Sequence, residues 1–203
     1  MKYRSARGFT LIEMLIVVGI MGVLAAIALP MTSNALKYEK ISGDSRGIAN
    51  DLAVAKMRAA AKFTQTRIYV DLSAKSYYLQ TCDTPATSPC PSWTTEGGAV
   101  SLSSTVSFGF GSIATPPTDT QTTIGQAALC KNTASPPVDV ANTACIIFNS
   151  RGIPVTSSSP SPTNDYAVYI NDGTFCYGIT VAATGFIRTW KTNYTVTPSW
   201  ILQ

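Results

Sequence analysis

The sequence predicts an α+β protein: one long N-terminal helix, apolar in its first half, packed on antiparallel β-sheet. Three observations carry that reading. Residues 14–29 (MLIVVGIMGVLAAIAL) contain no charge. Apolar positions Ile41, Ile48, Leu52, Ala55, Ala59 and Phe63 then recur at spacings of 7, 4, 3, 4 and 4, one face of an amphipathic helix. Beyond residue 65 the chain changes to short β-prone runs broken by Gly, Pro, Asn and Asp.

Counted from Phe9 to Leu29, the apolar segment has 21 residues. At about 1.5 Å per residue such a helix is roughly 31 Å long, which matches a hydrocarbon core of about 30 Å. Glu13 lies inside it. An ionised carboxylate in a membrane helix is costly and calls for a partner. Lys2, Arg4 and Arg7 precede it, so the positive-inside rule keeps the N-terminus cytoplasmic. Two plainer readings are an ordinary single-pass anchor and a secretory signal cut after Ala26-Ile27-Ala28. The acid at Glu13 fits neither well. Pro30 ends the uncharged run and predicts a kink or local melting, as well as the membrane exit. From 32 to about 64 the helix resumes, flanked by Lys37, Lys40, Arg46, Lys56, Arg58 and Lys62. These cations form a solvated face or meet acidic patches on neighbouring subunits.

The remainder reads as strands. Residues 67–72 (RIYVDL) alternate, and 73–76 turn into a second strand at 77–80, a hairpin. A loop at 81–98 holds two cysteines and three prolines. Residues 100–110 form one or two strands, and 115–142 an irregular surface excursion with a short strand at 122–125. Residues 144–148 (ACIIF) are a strand, and Asn149-Ser150-Arg151-Gly152 turns into Ile153-Pro154-Val155. A Ser/Pro loop fills 156–163. The clearest hairpin joins 166–170 to 174–181 through Asn171-Asp172-Gly173, since Asp-Gly supplies the positive φ such turns need. Residues 186–191 are the last strand.

Composition narrows the chemistry. Charged residues are 13% of the chain and histidine is absent. That removes Ser-His-Asp and Cys-His nucleophile pairs and every histidine-bearing metal site. The eleven acids are scattered, and the Gly109-Phe110-Gly111 triplet lacks the third glycine of a dinucleotide fingerprint. The expectation is a non-enzyme with no metal and no cofactor. The formal charge of +4 falls to +1 without residues 1–8, and residues 76–203 hold four basic and six acidic side chains. No broad polyanion-binding surface follows from that balance. The cysteines are Cys82, Cys90, Cys130, Cys145 and Cys176, all in the part placed outside the cytoplasm, where disulfides persist. Two pairs can be drawn from five in fifteen ways. The preferred pairing is Cys82–Cys90 and Cys130–Cys145, leaving Cys176 as a small buried strand residue.

The string Arg7-Gly8-Phe9-Thr10-Leu11-Ile12-Glu13 before an apolar helix resembles the class III leader of type IV pilins and type II secretion pseudopilins. The segments LAVAKMRAAAKFTQTRIYVDL, IIFNSRGIP and TGFIRTW are similar to the H-type pseudopilin and FimT-like minor pilin branch, the GspH/FimT domain. The resemblance implies a leader at 1–8, cleavage between Gly8 and Phe9, and N-methylation of the new amine. A transmembrane and filament-core helix follows at 9–30, then an amphipathic half at 31–64 and a β-rich pilin head at 65–203. Glu13 would pair with the Phe9 amine of a neighbouring subunit, and Pro30 would let the helix loosen during packing. The implied function is that of a minor pilin or pseudopilin of a type IV pilus or type II secretion pseudopilus. Its partners would be other pilins, prepilin peptidase, the inner-membrane assembly platform and, before assembly, membrane lipid. It would sit in the inner membrane with a cytoplasmic N-terminus, then in a periplasmic pseudopilus or extracellular pilus. A second implied reading is a DNA-binding minor pilin using Arg188, Trp190 and Lys191, with Lys131 and Arg151 in support. A third is an adhesive or major pilin.

Overall fold

A computed structural model describes residues 9–84, 90–157, 159, 161–164 and 166–203, apart from the side chains of Leu29, Pro30, Met31, Ser33 and Asn34. Two compact units divide the chain, Met1–Glu39 and Lys40–Gln203. The helix α1, Leu11–Lys62, supplies both.

In the first unit the window Leu11–Ala28 has a mean hydropathy of 2.6 and no buried residue. By length and composition it can cross a membrane. The backbone stays helical at Pro30, so the expected local melting is absent. A proline removes one N–H donor and costs about 3 kcal/mol in a helix interior, which the intact turns on either side can carry.

In the second unit the stripe Ile41, Ile48, Leu52, Ala55 and Ala59 is buried. Phe63, the next position of the same series, is not: it is 75% exposed and has φ of 52°. The helix ends first, at Lys62. Phe63 N–H donates to the Ala60 carbonyl and Thr64 N–H to the Ala59 carbonyl, the two bonds of a Schellman cap with Phe63 in the left-handed position. Thr64 goes inside instead, with its hydroxyl donating to the Cys82 carbonyl at 3.1 Å. Glycine takes that left-handed position at no steric cost. Phe63→Gly is therefore expected to stabilise the fold by about 0.5–1 kcal/mol, read as a rise in the denaturation midpoint.

Among the described residues the strands form two five-stranded antiparallel sheets. The first contains β1 (Thr66–Asp71), β2 (Ser76–Cys82), β3 (Trp93–Ser101), β5 (Thr143–Phe148) and β6 (Pro154–Val155), ordered β3-β2-β1-β5-β6. The second contains β4 (Ser107–Phe108), β7 (Tyr166–Asn171), β8 (Phe175–Val181), β9 (Ile187–Asn193) and β10 (Ile201–Leu202), ordered β10-β9-β8-β7-β4. One core joins the helix stripe to both inner faces: Ile68 and Val70 of β1, Ile146 and Phe148 of β5, Val168 and Ile170 of β7, Tyr177 and Ile179 of β8.

Four expectations need correction. The loop at 81–98 contains most of β3, an edge strand that is largely exposed along its length. With no buried face it carries no alternation to read. No strand occurs at 122–125 among the described residues. Nor is 115–142 only a surface excursion, because it covers the second sheet. The Gln126 amide donates to the Tyr169 carbonyl and its oxygen accepts from Tyr169 N–H, while Ala127 N–H donates to the Ala167 carbonyl at 2.7 Å. A side-chain amide thus replaces a strand partner. The last strand is β10, beyond the expected final one. It is reached after Trp200, whose indole N–H donates to the Thr115 carbonyl at 2.9 Å.

Candidate assembly site and the surfaces around it

Helix α1 begins at Leu11, so Thr10 is its N-cap and Glu13 its third residue. Glu13 Oε2 accepts from both the Thr10 N–H and the Thr10 hydroxyl at 2.9 Å, and Glu13 N–H donates to Thr10 Oγ1 at 3.3 Å. This reciprocal pairing is a capping box, spelled by Thr-x-x-Glu in the sequence. The acid therefore has hydrogen-bond donors within its own chain. They do not cancel its charge. Phe9 is 85% exposed. Gly8 and the basic residues Lys2, Arg4 and Arg7 lie outside the described residues, as does the Pro30 side chain.

The residues considered for nucleic acid do not form one patch. Strand alternation puts Arg188 and Trp190 on one face of β9 and Lys191 on the other. Arg188 is exposed, with its guanidinium 5.5 Å from the Phe186 ring. The Trp190 indole N–H donates to Thr180 Oγ1 at 3.0 Å, and Lys191 Nζ sits 4.4 Å from the Phe175 ring. Lys131 belongs to a segment tied to the first sheet, its Nζ 3.9 Å from Asp139 Oδ1. Arg151 is exposed in the β5–β6 turn.

Disulfides join Cys82 to Cys90 and Cys130 to Cys145, with Cα–Cα distances of 5.9 and 4.9 Å. Cys176 is a buried free thiol in β8. Burial, and then the nearby Asp172 charge, push its thiol up to about 12. It stays protonated and inert at physiological pH.

Three arrangements escaped the local pattern. Lys56 Nζ donates to the Gly185 carbonyl at 2.9 Å. Arg67 is 5% exposed on the outer side of β1. Glu96 on β3 takes Lys62 Nζ and, at 3.5 Å, Arg58 Nη1 from the end of α1. Hydrogen bonds from Lys62 and then Thr81 hold the Glu96 carboxyl below its usual 4.5. A depressed acid stabilises the fold above its unfolded value and loses that contribution as pH falls through its folded value. Between pH 6 and pH 3 the chain should therefore lose stability that the Glu96→Gln variant lacks throughout. The gap should be about 1 kcal/mol or less, because both cations are half-exposed. Thermal melts of the two proteins across that range check it.

Residues 3–29 match a family described as the prokaryotic N-terminal methylation motif. The chain therefore carries that motif, which runs into the start of α1, ahead of the β-sheets. No curated protein matches the chain in sequence. Among solved structures, the chain is similar to the crystal structure of the minor pseudopilin EPSH from the type II secretion system of Vibrio cholerae. The TM-score is 0.41 at 9% identity, covering 79% of this chain and 94% of that one.

Proposed function

We propose that this chain is a structural subunit, a minor pilin or pseudopilin, assembled through its N-terminal helix into a type IV pilus or type II secretion pseudopilus. The observation that carries the reading is the methylation motif at residues 3–29, continuous with an apolar helix that has no buried residue over Leu11–Ala28. A helix with no core of its own to enter must be covered by lipid or by other helices. In this reading lipid covers it before assembly and neighbouring helices cover it afterwards. Cleavage after Gly8 by prepilin peptidase frees the Phe9 amine, and Glu13 pairs with that amine on an adjacent subunit. The protein waits in the inner membrane with a cytoplasmic N-terminus, and the head faces the periplasm. Its chemistry is association, and the energy for extraction from the membrane comes from partner proteins.

Intact-mass analysis of protein extracted from membranes tests the proposal. The expected product begins at Phe9 and carries one added methyl group on its amine. A chain that keeps Met1, or one that begins at Leu29, would overturn it.

A further inference from the structure

The Arg67 guanidinium is buried, and among the described residues it has no acidic partner. Among the described residues its hydrogen bonds go to neutral acceptors: Nε donates to Gln80 Oε1 at 2.7 Å and Nη1 to the Lys131 carbonyl at 3.1 Å. Nη2 has no hydrogen-bond partner among those residues. The ring of Trp93 lies 4.2 Å from the guanidinium carbon and that of Tyr69 5.4 Å. These π faces offset part of the desolvation cost. They supply no counter-charge, and a buried cation lacking one is expensive.

Arg67 lines a small cavity together with Gln65, Trp93, Lys131, Asn132 and Ser157. Its space for the centre of a water-sized sphere is about 10 Å³, enough for about one particle of that size. The Asn132 side-chain oxygen is engaged by the N–H groups of Ala134 and Val138, which leaves its NH2 as the donor end. Ser157 and Lys131 also line the cavity, and the Lys131 ammonium lies 3.9 Å from Asp139 Oδ1. A water molecule could satisfy one N–H but would leave the guanidinium charge uncompensated. A monatomic anion does both. We propose that this cavity binds a single halide ion, chloride in physiological solution, with Arg67 as its main counter-charge and Lys131 at its rim.

The full-length protein in chloride-free detergent provides the test. At constant ionic strength, sodium chloride replacing sodium gluconate should raise the melting temperature saturably, by about 3 °C at tenfold excess over the dissociation constant. The chlorine-35 NMR line should broaden on adding protein and sharpen again when bromide competes. Lys131→Gln should shift the chloride titration to roughly fivefold higher concentration. Equal melting in chloride and gluconate, a chlorine line that bromide does not sharpen, or an unchanged titration in the lysine variant would each overturn the site.

Discussion

Gly185→Ala should destabilise the head by about 3 kcal/mol or more, a fall of roughly 6–12 °C in melting temperature. Gly185 closes the β8–β9 hairpin: its N–H donates to the Ala182 carbonyl at 2.7 Å, and Ala182 N–H donates to the Phe186 carbonyl at 2.9 Å. Its φ is 77°, a conformation that costs a side-chain-bearing residue about 1–2 kcal/mol. A Cβ there would lie 2.3 Å from the Gly152 carbonyl oxygen and 3.2 Å from Lys56 Nζ. The first of these is backbone and cannot swing aside. Gly98→Ala is the control, since a Cβ there meets nothing within 4 Å. It should move the midpoint by no more than about 0.5 kcal/mol. Near-UV circular dichroism of the full chain in detergent reads both, and equal melting of the two variants would refute the clash.

Three segments far apart in the sequence meet at that clasp. Lys56 comes from LAVAKMRAAA, Gly152 from IIFNSRGIP and Gly185 from TGFIRTW. A Cβ on Gly152 would sit 2.9 Å from Lys56 Cγ, so both glycines leave room for one lysine stem. The stem packs against bare backbone while its ammonium satisfies the Gly185 carbonyl. Segments far apart in sequence are thus constrained by a single side chain. Read individually, each looks like an ordinary helix or turn.

The legible parts of the fold were those whose causes are local. The stripe from Ile41 to Ala59 is a helical period with a core on one side, and Asp172-Gly173 is turn chemistry. Asp172 Oδ1 accepts from the N–H groups of Thr174 and Phe175, and Gly173 has φ of 82°. The illegible parts depend on what arrives from elsewhere. In RIYVDL the alternation puts Ile68 and Val70 in the core and Arg67 on the opposite face, which normally means solvent. Trp93 from β3 and the backbone of Lys131 cover it, and no window around residue 67 contains either. Phe63 fits the helical period, yet the helix stops at Lys62 and it is Thr64 that turns inward, bonding the strand end at Cys82. At the N-terminus the Thr-x-x-Glu spacing was visible, but its first consequence is a bond within the chain. The intermolecular role is a separate inference.

Those two roles of Glu13 can be separated in the proposed filament. Glu13→Ala removes both the carboxylate half of the capping box and the negative charge, and should reduce incorporation into the filament roughly tenfold or more, because its partner amine is then left unpaired among apolar helices. Glu13→Gln keeps an acceptor for the Thr10 donors and discards the charge. Thr10→Ala keeps the charge and discards the reciprocal donor. If charge pairing drives assembly, Gln should be as defective as Ala at position 13, and Thr10→Ala should assemble at nearly the wild-type level. If the helix start is what matters, the order reverses. In each variant the head should melt as the wild type does, since the described core residues run from Ile41 onward. The ratio of subunit in sheared or purified filaments to subunit in membranes reads the result. Full incorporation of Glu13→Gln would show that no cation is waiting for this carboxylate.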